Sequence, residues 1–277
     1  VLGDLCEDGA CDGATTDPVG DVEGVVGRLH AGHVLAATVR DRTGRARTVR
    51  ISRAPDVASI LGSADLSPGL LALLPGAMAA ARHGDAAPLV RLRPLADGGA
   101  TPARELSIGL NVTTACDDGV LPYSLGDARA VRVAKLQAAA TAVPAAQRGP
   151  FSPADIIEGS VSGDCLAWPS APLPAGPSTA PLPDVPALIL GGGQDMRTPI
   201  ENARALDALL PRASVVEVPG NGHDELDTDT TGCAARALSR FVAGTKVGDP
   251  CAGHSDLPRI AARPPLHLRQ VPRAVGV

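Results

Sequence analysis

The sequence predicts an α/β fold in its C-terminal part, preceded by a mainly helical region. Between residues 184 and 251, short apolar runs typical of strands alternate with segments of helical periodicity. That alternation is characteristic of a parallel sheet covered by helices. Residues 1–115 instead carry apolar residues at helical spacing, interrupted by glycine and proline and by one short hairpin.

The N-terminal elements follow from local patterns. Apolar residues at helical spacing predict a helix over residues 21–29. Residues 33–40 and 46–52 are typical of two strands joined by an Asp-Arg-Thr-Gly turn. Residues 54–97 predict short helices broken at three residues that disfavour helix: Pro75, Gly84 and Pro94.

The middle and the end of the chain differ in character. Residues 127–143 predict one longer helix that stops before Pro144. Residues 169–183 hold six prolines, which predicts a linker or a surface loop. Residues 252–277 are rich in arginine and proline, and we expect a disordered tail there.

Two strands and two helices make up the predicted α/β part. Residues 187–190 and 215–218 are short apolar runs, and the first looks like a strand buried on both faces. Thr198-Pro-Ile-Glu predicts a capping box that opens a helix running to Leu210. A closing helix is expected over residues 231–243. The residues expected to face inward are Ile200, Ala203, Leu206, Leu209, Leu210, Leu238, Phe241 and Val242.

Composition and charge exclude several classes of function. Aromatic residues are only 1% of the chain, so platforms for stacking nucleic-acid bases are almost excluded. The formal net charge of −5 argues against nucleic acid as a partner. The longest apolar runs are too short and too interrupted to predict a membrane span.

The six cysteines leave two interpretations open, disulfides or buried free thiols. Zinc is disfavoured because no Cys-x-x-Cys pair occurs. Disulfides would indicate a protein outside the cytoplasm. The chain opens without methionine or a signal sequence, so we expect either a removed leader or a start inside a longer protein.

Asp195 and His223 are the strongest catalytic candidates. Asp195 follows the strand at 187–190, and His223 follows the strand at 215–218. Groups just past the carboxyl ends of adjacent parallel strands meet in one crevice, so we expect the two side chains to touch. A carboxylate that orients an imidazole is two-thirds of a hydrolase triad. Asp before His on the last strands is the chain order of α/β-hydrolases.

Other motifs predict no metal and no cofactor. Residues 227–232 imitate the start of a calcium loop, but position twelve is Leu238, and acids at a helix start explain them better. His30-x-x-His33 has no further ligand placed to complete a metal site. The glycines at 191–193 do not form a phosphate-binding motif.

Two segments resemble a known family. Gly-Gly-Gly-Gln-Asp-Met-Arg-Thr-Pro at 191–199 and Pro-Gly-Asn-Gly-His at 219–223 resemble the C-terminal part of actinobacterial tripeptidyl-aminopeptidase-like serine hydrolases. These are secreted α/β-hydrolases related to proline iminopeptidases. The resemblance extends over about residues 1–251 through further motifs in the same order: the segment near Asp17, 84–89, Thr-Thr-Ala-Cys-Asp-Asp at 113–118, Cys-Leu-Ala-Trp-Pro at 165–169, Cys233 and Cys251.

The resemblance implies catalytic roles and cysteine pairings. Asp195 would orient His223, which would act first as general base and then as general acid. Gln194 departs from the family, which usually has leucine before the acid. The implied disulfides are Cys6–Cys11, Cys116–Cys165 and Cys233–Cys251.

The nucleophile is not found in this chain. The Gly-x-Ser-x-Gly elbow of α/β-hydrolases is absent, and the nearest segment, around Ser124, has proline in place of the first glycine and does not follow a strand. The resemblance implies that the elbow lies upstream of residue 1. We therefore expect the C-terminal half of an enzyme, inactive by itself and paired with the N-terminal half of the same fold.

The resemblance also implies a domain plan and a substrate class. Residues 1–115 would form the cap, 116–183 its exit helix and proline-rich linker, 184–251 the hydrolase portion and 252–277 a tail. We expect a secreted or cell-envelope exopeptidase acting on peptides. Asp117 and Asp118 could bind a substrate ammonium group, or could simply cap a turn beside a disulfide. An esterase on the same fold and an inactive binding module remain the alternatives.

Overall fold

The computed structural model describes residues 2–40, 44–66, 68–98, 107–170 and 181–253. Most of the predicted hairpin turn, residues 171–180 of the predicted linker and nearly all of the predicted tail lie outside these ranges. Residues 181–186 precede the first strand of the α/β part and form no helix or strand.

α-Helices make up about half of the described chain. In order they are α1 Leu2–Leu5, α2 Pro18–His30, α3 Ala54–Ser63, α4 Pro68–Arg82, α5 Ala87–Gly98, α6 Ile108–Asp117, α7 Arg129–Ala142, α8 Ala145–Arg148, α9 Pro153–Glu158, α10 Val161–Asp164, α11 Ile200–Asp207, α12 Glu225–Thr228 and α13 Cys233–Val242. Short 3-10 turns occur at Glu7–Gly9, Ala64–Leu66 and Cys165–Ala167.

The described strands form two separate pairs. β1 (Leu35–Arg40) and β2 (Ala46–Ile51) are antiparallel, with Leu35 opposite Ile51. β3 (Ala187–Gly192) and β4 (Ala213–Val218) are parallel, and α11 connects them. This mixture of helices and small sheets is consistent with part of a hydrolase fold, and the parallel pair lies where the sequence predicted it.

Two predicted helix breaks are wrong. Pro75 lies inside α4 and Pro94 lies inside α5. A proline removes one backbone hydrogen bond and costs about 3 kcal/mol, whereas each buried leucine contributes about 1.5–3 kcal/mol. Both helices continue because apolar residues beside each proline pack in the core. Leu74 and Ala77 are buried around Pro75, and Leu92 is buried before Pro94, with Ala96 partly buried after it. Gly84, with a positive φ of 103°, does separate the two helices.

The main hydrophobic core lies in the N-terminal region. It is formed by α1, α2, α3, α4, α5 and the β1–β2 hairpin. Its most deeply buried large side chains are Leu5, Leu35, Ile51, Ile60, Leu74, Met78, Leu89 and Leu92. Tyr123, Leu125 and Leu136 make a smaller cluster beside α7.

The α/β unit has a core of smaller side chains. Val216 and Val218 of β4 pack against Ala234 and Ala237 of α13. The predicted inward faces are therefore partly wrong, because α13 turns Ala234 and Ala237 to the sheet and leaves Leu238 and Val242 exposed. On α11 only Ile200 is buried, whereas Leu206 and Leu209 are exposed. β3 is half-buried over most of its length rather than enclosed on both faces.

Within the described ranges, no helix has both the length and the apolar character needed to cross a membrane.

Candidate active site

Asp195 lies in the turn after β3 and accepts four hydrogen bonds. Its Oδ1 accepts from the backbone N–H groups of Arg197 at 2.7 Å and Thr198 at 2.9 Å. Its Oδ2 accepts from the Thr198 hydroxyl at 2.7 Å and lies 3.0 Å from His223 Nδ1. Both carboxylate oxygens are thus held by donors, and one of these donors is the imidazole.

The protonation state of Asp195 follows from this environment. Its side chain is only 1% exposed. Burial raises the pKa of the Asp195 carboxyl, but the hydrogen bonds from Thr198, His223 and Arg197 outweigh burial and hold the pKa at about 2. Asp195 is therefore ionised at neutral pH and holds a negative charge against His223 Nδ1.

His223 is held from the backbone side by a distant part of the chain. Its backbone N–H donates to the Asp65 carbonyl at 2.8 Å. A Cβ on Gly222 would lie 1.8 Å from the same carbonyl oxygen, so only glycine allows this approach. Gly220 adopts a positive φ of 76°, which favours glycine as well. Gly220 and Gly222 thus let the loop that carries His223 fold back.

The ring of His223 presents its other nitrogen to solvent. The side chain is 37% exposed. Nδ1 faces Asp195 and Thr198, and within the described residues no side chain hydrogen-bonds Nε2. A carboxylate behind Nδ1 and an accessible Nε2 are the arrangement that a general base requires.

Thr198 contacts both members of the pair and does not cap α11, although the sequence predicted that it would. The predicted capping box does not form, because Pro199 is the N-cap of α11 and no side chain caps the helix. The Thr198 hydroxyl instead bridges the pair, 2.7 Å from Asp195 Oδ2 and 3.2 Å from His223 Nδ1. The carboxylate competes for this hydroxyl more strongly than a neutral backbone group does. The Asp-x-x-Thr spacing, read as a turn motif, could have indicated this contact.

Glu225 is a second carboxylate beside the pair, also missed from sequence. Its Oε1 accepts from the Gly192 backbone N–H at 2.8 Å, at the end of β3. Burial raises the pKa of Glu225, and the charge of Asp195 raises it further, against hydrogen bonds from the backbone N–H groups of Glu225 and Gly192 and the influence of His223. Glu225 therefore ties α12 to the strand that presents Asp195.

Asp117 and Asp118 are not brought to this pair. Asp117 Oδ1 accepts the indole N–H of Trp168 at 2.8 Å. Asp118 is the exposed C-cap residue of α6. No hydrogen bond or ion pair found in the described ranges joins either residue to Asp195 or His223. The contact with Trp168 favours a structural role for Asp117.

The remaining candidates have local structural roles. Ser124 lies in a turn where its Oγ accepts from the Gly126 N–H at 3.1 Å. Asp229 accepts the N–H groups of Gly232 and Ala234 at the start of α13, as expected for a helix-start acid. His30 Nε2 lies 2.8 Å from Asp155 Oδ2. Among the described residues, no cluster of three or more His, Cys, Asp or Glu could hold a metal ion.

The cysteines form three disulfides, Cys6–Cys11, Cys116–Cys165 and Cys233–Cys251. These are the pairs that the resemblance implied. The second joins α6 to the turn at 165–167, and the third joins α13 to the segment after it. The disulfides are compatible with an extracellular protein.

An acid and a histidine at the ends of adjacent parallel strands are characteristic of α/β-hydrolases. The family model described as TAP-like protein, a family of α/β-hydrolases, matches residues 150–251. The matched segment contains Asp195, His223 and their two strands, and the match suggests hydrolase activity. No curated protein and no solved structure matches this chain.

Proposed function

We propose that this chain supplies the acid and the base of a Ser-Asp-His triad in a secreted serine exopeptidase of the tripeptidyl-aminopeptidase type. The observation that carries the proposal is the 3.0 Å contact between Asp195 Oδ2 and His223 Nδ1. Two further observations support it. Asp195 and His223 follow the ends of two adjacent parallel strands, and the Asp195 carboxylate is ionised at neutral pH.

Each residue has a defined part in the reaction. His223 Nε2 accepts the proton of a serine hydroxyl as the serine oxygen attacks the scissile carbonyl. Asp195 keeps the proton on Nδ1 and stabilises the imidazolium that forms. His223 then donates the proton to the leaving amine, and a water molecule repeats the sequence to release the acyl group.

The serine and the oxyanion donors belong, in this proposal, to a segment N-terminal to residue 1. Ser124 is a poorer candidate, because its Oγ accepts the Gly126 N–H in a local turn and no hydrogen bond found in the described ranges joins it to His223. The half-buried apolar side chains of β3 and the exposed Leu206 and Leu209 of α11 offer surface on which further strands and helices can pack. Residues 1–115 would then be the cap above the crevice, and residues 184–251 the hydrolase portion.

The substrate class is a peptide with a free N-terminus. The exposed carboxylate of Asp118 is the more available partner for an ammonium group, because Asp117 is engaged by Trp168. The three disulfides support a location outside the cytoplasm, secreted or in the cell envelope.

The test compares residues 1–277 with the same chain extended by the coding sequence upstream of Val1. Both proteins are treated with a serine-directed phosphonate and a tripeptidyl anilide. We expect labelling and turnover only in the extended protein, with turnover abolished by His223→Ala and kept by His83→Ala, an exposed histidine elsewhere.

Three outcomes would contradict the proposal. Labelling of Ser124 in the short chain would place the nucleophile here. Turnover of an ester substrate without turnover of the anilide would indicate an esterase. An extended protein that is neither labelled nor active would indicate a binding module.

A further inference from the structure

We infer that Asp65 is a positioning residue that sets the geometry of the Asp195–His223 pair, although it lies outside the segment that matches the hydrolase family. This inference rests on the proposed function for its catalytic meaning. Asp65 lies in the 3-10 turn Ala64–Leu66 between α3 and α4, more than a hundred residues before either member of the pair.

The carboxylate of Asp65 holds the turn that carries Asp195. Its side chain is fully buried, and both oxygens accept from Arg197 Nε, at 3.1 and 3.0 Å. Arg197 Nη2 also donates to the Gly62 carbonyl at 3.1 Å. The backbone N–H of Arg197 is in turn a donor to Asp195 Oδ1. One arginine therefore connects the buried acid to the catalytic carboxylate.

The backbone of Asp65 holds the loop that carries His223. Its carbonyl oxygen accepts the His223 N–H at 2.8 Å, and the absent side chain of Gly222 allows that approach. A single residue thus touches both loops of the pair, one through its side chain and the other through its main chain. A displacement of about 1 Å in a catalytic group can slow a reaction roughly a hundredfold. Contacts that fix both loops should therefore affect the rate of the reaction.

Substitution of a buried acid that has only a structural role should have different effects from substitution of a positioning residue. Asp21 provides the matched comparison, since it is also a buried acid of the N-terminal region held by one arginine, Arg82. Asp21→Asn and Asp65→Asn both remove a buried charge from an ion pair and both lower global stability. Only Asp65→Asn should alter the pair itself.

The experiment uses the chain of residues 1–277 and needs no turnover. Hydrogen exchange of the His223 amide reports how often its loop opens. Imidazole ¹⁵N shifts at mildly alkaline pH report which ring nitrogen of His223 carries the proton. We expect Asp65→Asn to speed that exchange by roughly tenfold, as loss of one charged hydrogen bond would. We also expect protons to redistribute from Nδ1 toward Nε2. Asp21→Asn should change neither signal.

A second variant keeps the test decisive if Asp65→Asn does not fold. Arg197→Met removes the guanidinium that joins Asp65 to the turn of Asp195 while it keeps the backbone N–H that donates to Asp195 Oδ1, and it should speed the His223 exchange roughly tenfold relative to wild type. Arg82→Met removes the arginine of Asp21 and should leave that exchange unchanged. Wild-type exchange in Arg197→Met would overturn the inference without the Asp65 variant. Wild-type signals in Asp65→Asn, or equal changes in Asp21→Asn, would overturn the inference. An extended protein without turnover that still shows the Asp65 effect would contradict the proposed function alone.

Discussion

The helical region from residue 5 to residue 92 and the α/β unit from residue 187 to residue 251 differ in how they bury apolar surface. Every one of the largest fully buried side chains lies in the helical region. The α/β unit is closed by valine, alanine and half-cystine, and it exposes Leu206, Leu209 and Val242. The helical region buries its large apolar side chains, with the partly buried Phe151 packed against them, whereas the α/β unit leaves large apolar side chains exposed.

The candidate active site belongs to the less tightly packed unit. Asp195 and His223 lie at the ends of β3 and β4, yet their loops are held by Asp65 of the helical region. Burial of large side chains stabilises a region, so the loops of the site are held by contacts with the more deeply packed part of the chain. The order of the Asp195–His223 pair is therefore supplied partly from outside the unit that carries it.

The largest expected effect on stability distinguishes a leucine buried in the helical core from a leucine exposed on the α/β unit. Leu74→Ala in the helical core should lower the free energy of unfolding by about 2–5 kcal/mol, because it leaves a cavity. Leu209→Ala, at a side chain that is 65% exposed, should change it by less than about 0.5 kcal/mol. Urea unfolding of both variants makes the measurement. An equal loss at Leu209 would show that its face is covered and would remove the contrast.

The disulfides should follow in order of loop length. Their sequence separations are 49, 18 and 5 residues for Cys116–Cys165, Cys233–Cys251 and Cys6–Cys11. On a chain-entropy argument, replacing each pair by alanine should cost roughly 4, 3 and 2 kcal/mol. Denaturant unfolding of the three double variants tests the order. If removal of the shortest bridge cost most, local strain or packing, rather than loop closure, would govern these bridges.

A glycine pair tests the junction between the two regions. Gly222→Ala places a Cβ against the Asp65 carbonyl and should cost about 1–3 kcal/mol while displacing His223. Gly27→Ala lies in α2 with open space around it and should stabilise by about 0.5–1 kcal/mol. Thermal unfolding and the His223 amide signal report the two effects. A neutral Gly222→Ala would mean that the loop can leave Asp65 without loss.

The smallest effect concerns pH. Hydrogen bonds lower the pKa of Asp195 to about 2, so its stabilisation is present above the unfolded carboxyl value of about 4 and is lost as pH falls toward 2. Burial raises the pKa of Glu225, so its ionisation opposes folding as pH rises through that raised value. Asp195→Asn should flatten the acid loss of stability, and Glu225→Gln should remove the decline that begins as pH rises above the ordinary glutamate value of 4.5.

Urea midpoints measured across the acid range give both slopes for the wild type and the two variants. Asp195 should make stability rise with pH and Glu225 should make it fall. Each variant should therefore remove one of these two slopes and leave the other, whereas a general loss of structure would not act on one slope alone. A Glu225→Gln variant with an unchanged profile would show that this carboxyl titrates as an exposed one.

Local patterns predicted the two strands of the α/β unit well, but they predicted the faces of its helices poorly. Runs such as 187–190 identify a strand because β-branched and apolar residues in a short run have few other placements. The inward faces of α11 and α13 depend on which neighbours are present, so Leu206 and Val242 were placed wrongly. Pro75 and Pro94 show the same limit, since burial around them outweighs the local preference.

The sequence by itself determined that Asp195 and His223 would lie together, because the carboxyl ends of adjacent parallel strands share one edge. It could not determine what holds them. The Thr198 hydroxyl was free, on sequence grounds, to cap a helix, and only the folded turn directs it to the carboxylate. Asp65 carries no local signal at all, because its partners Arg197 and His223 come close only when the chain folds. Contacts between distant residues depend on tertiary packing, and that packing supplied the support of this site.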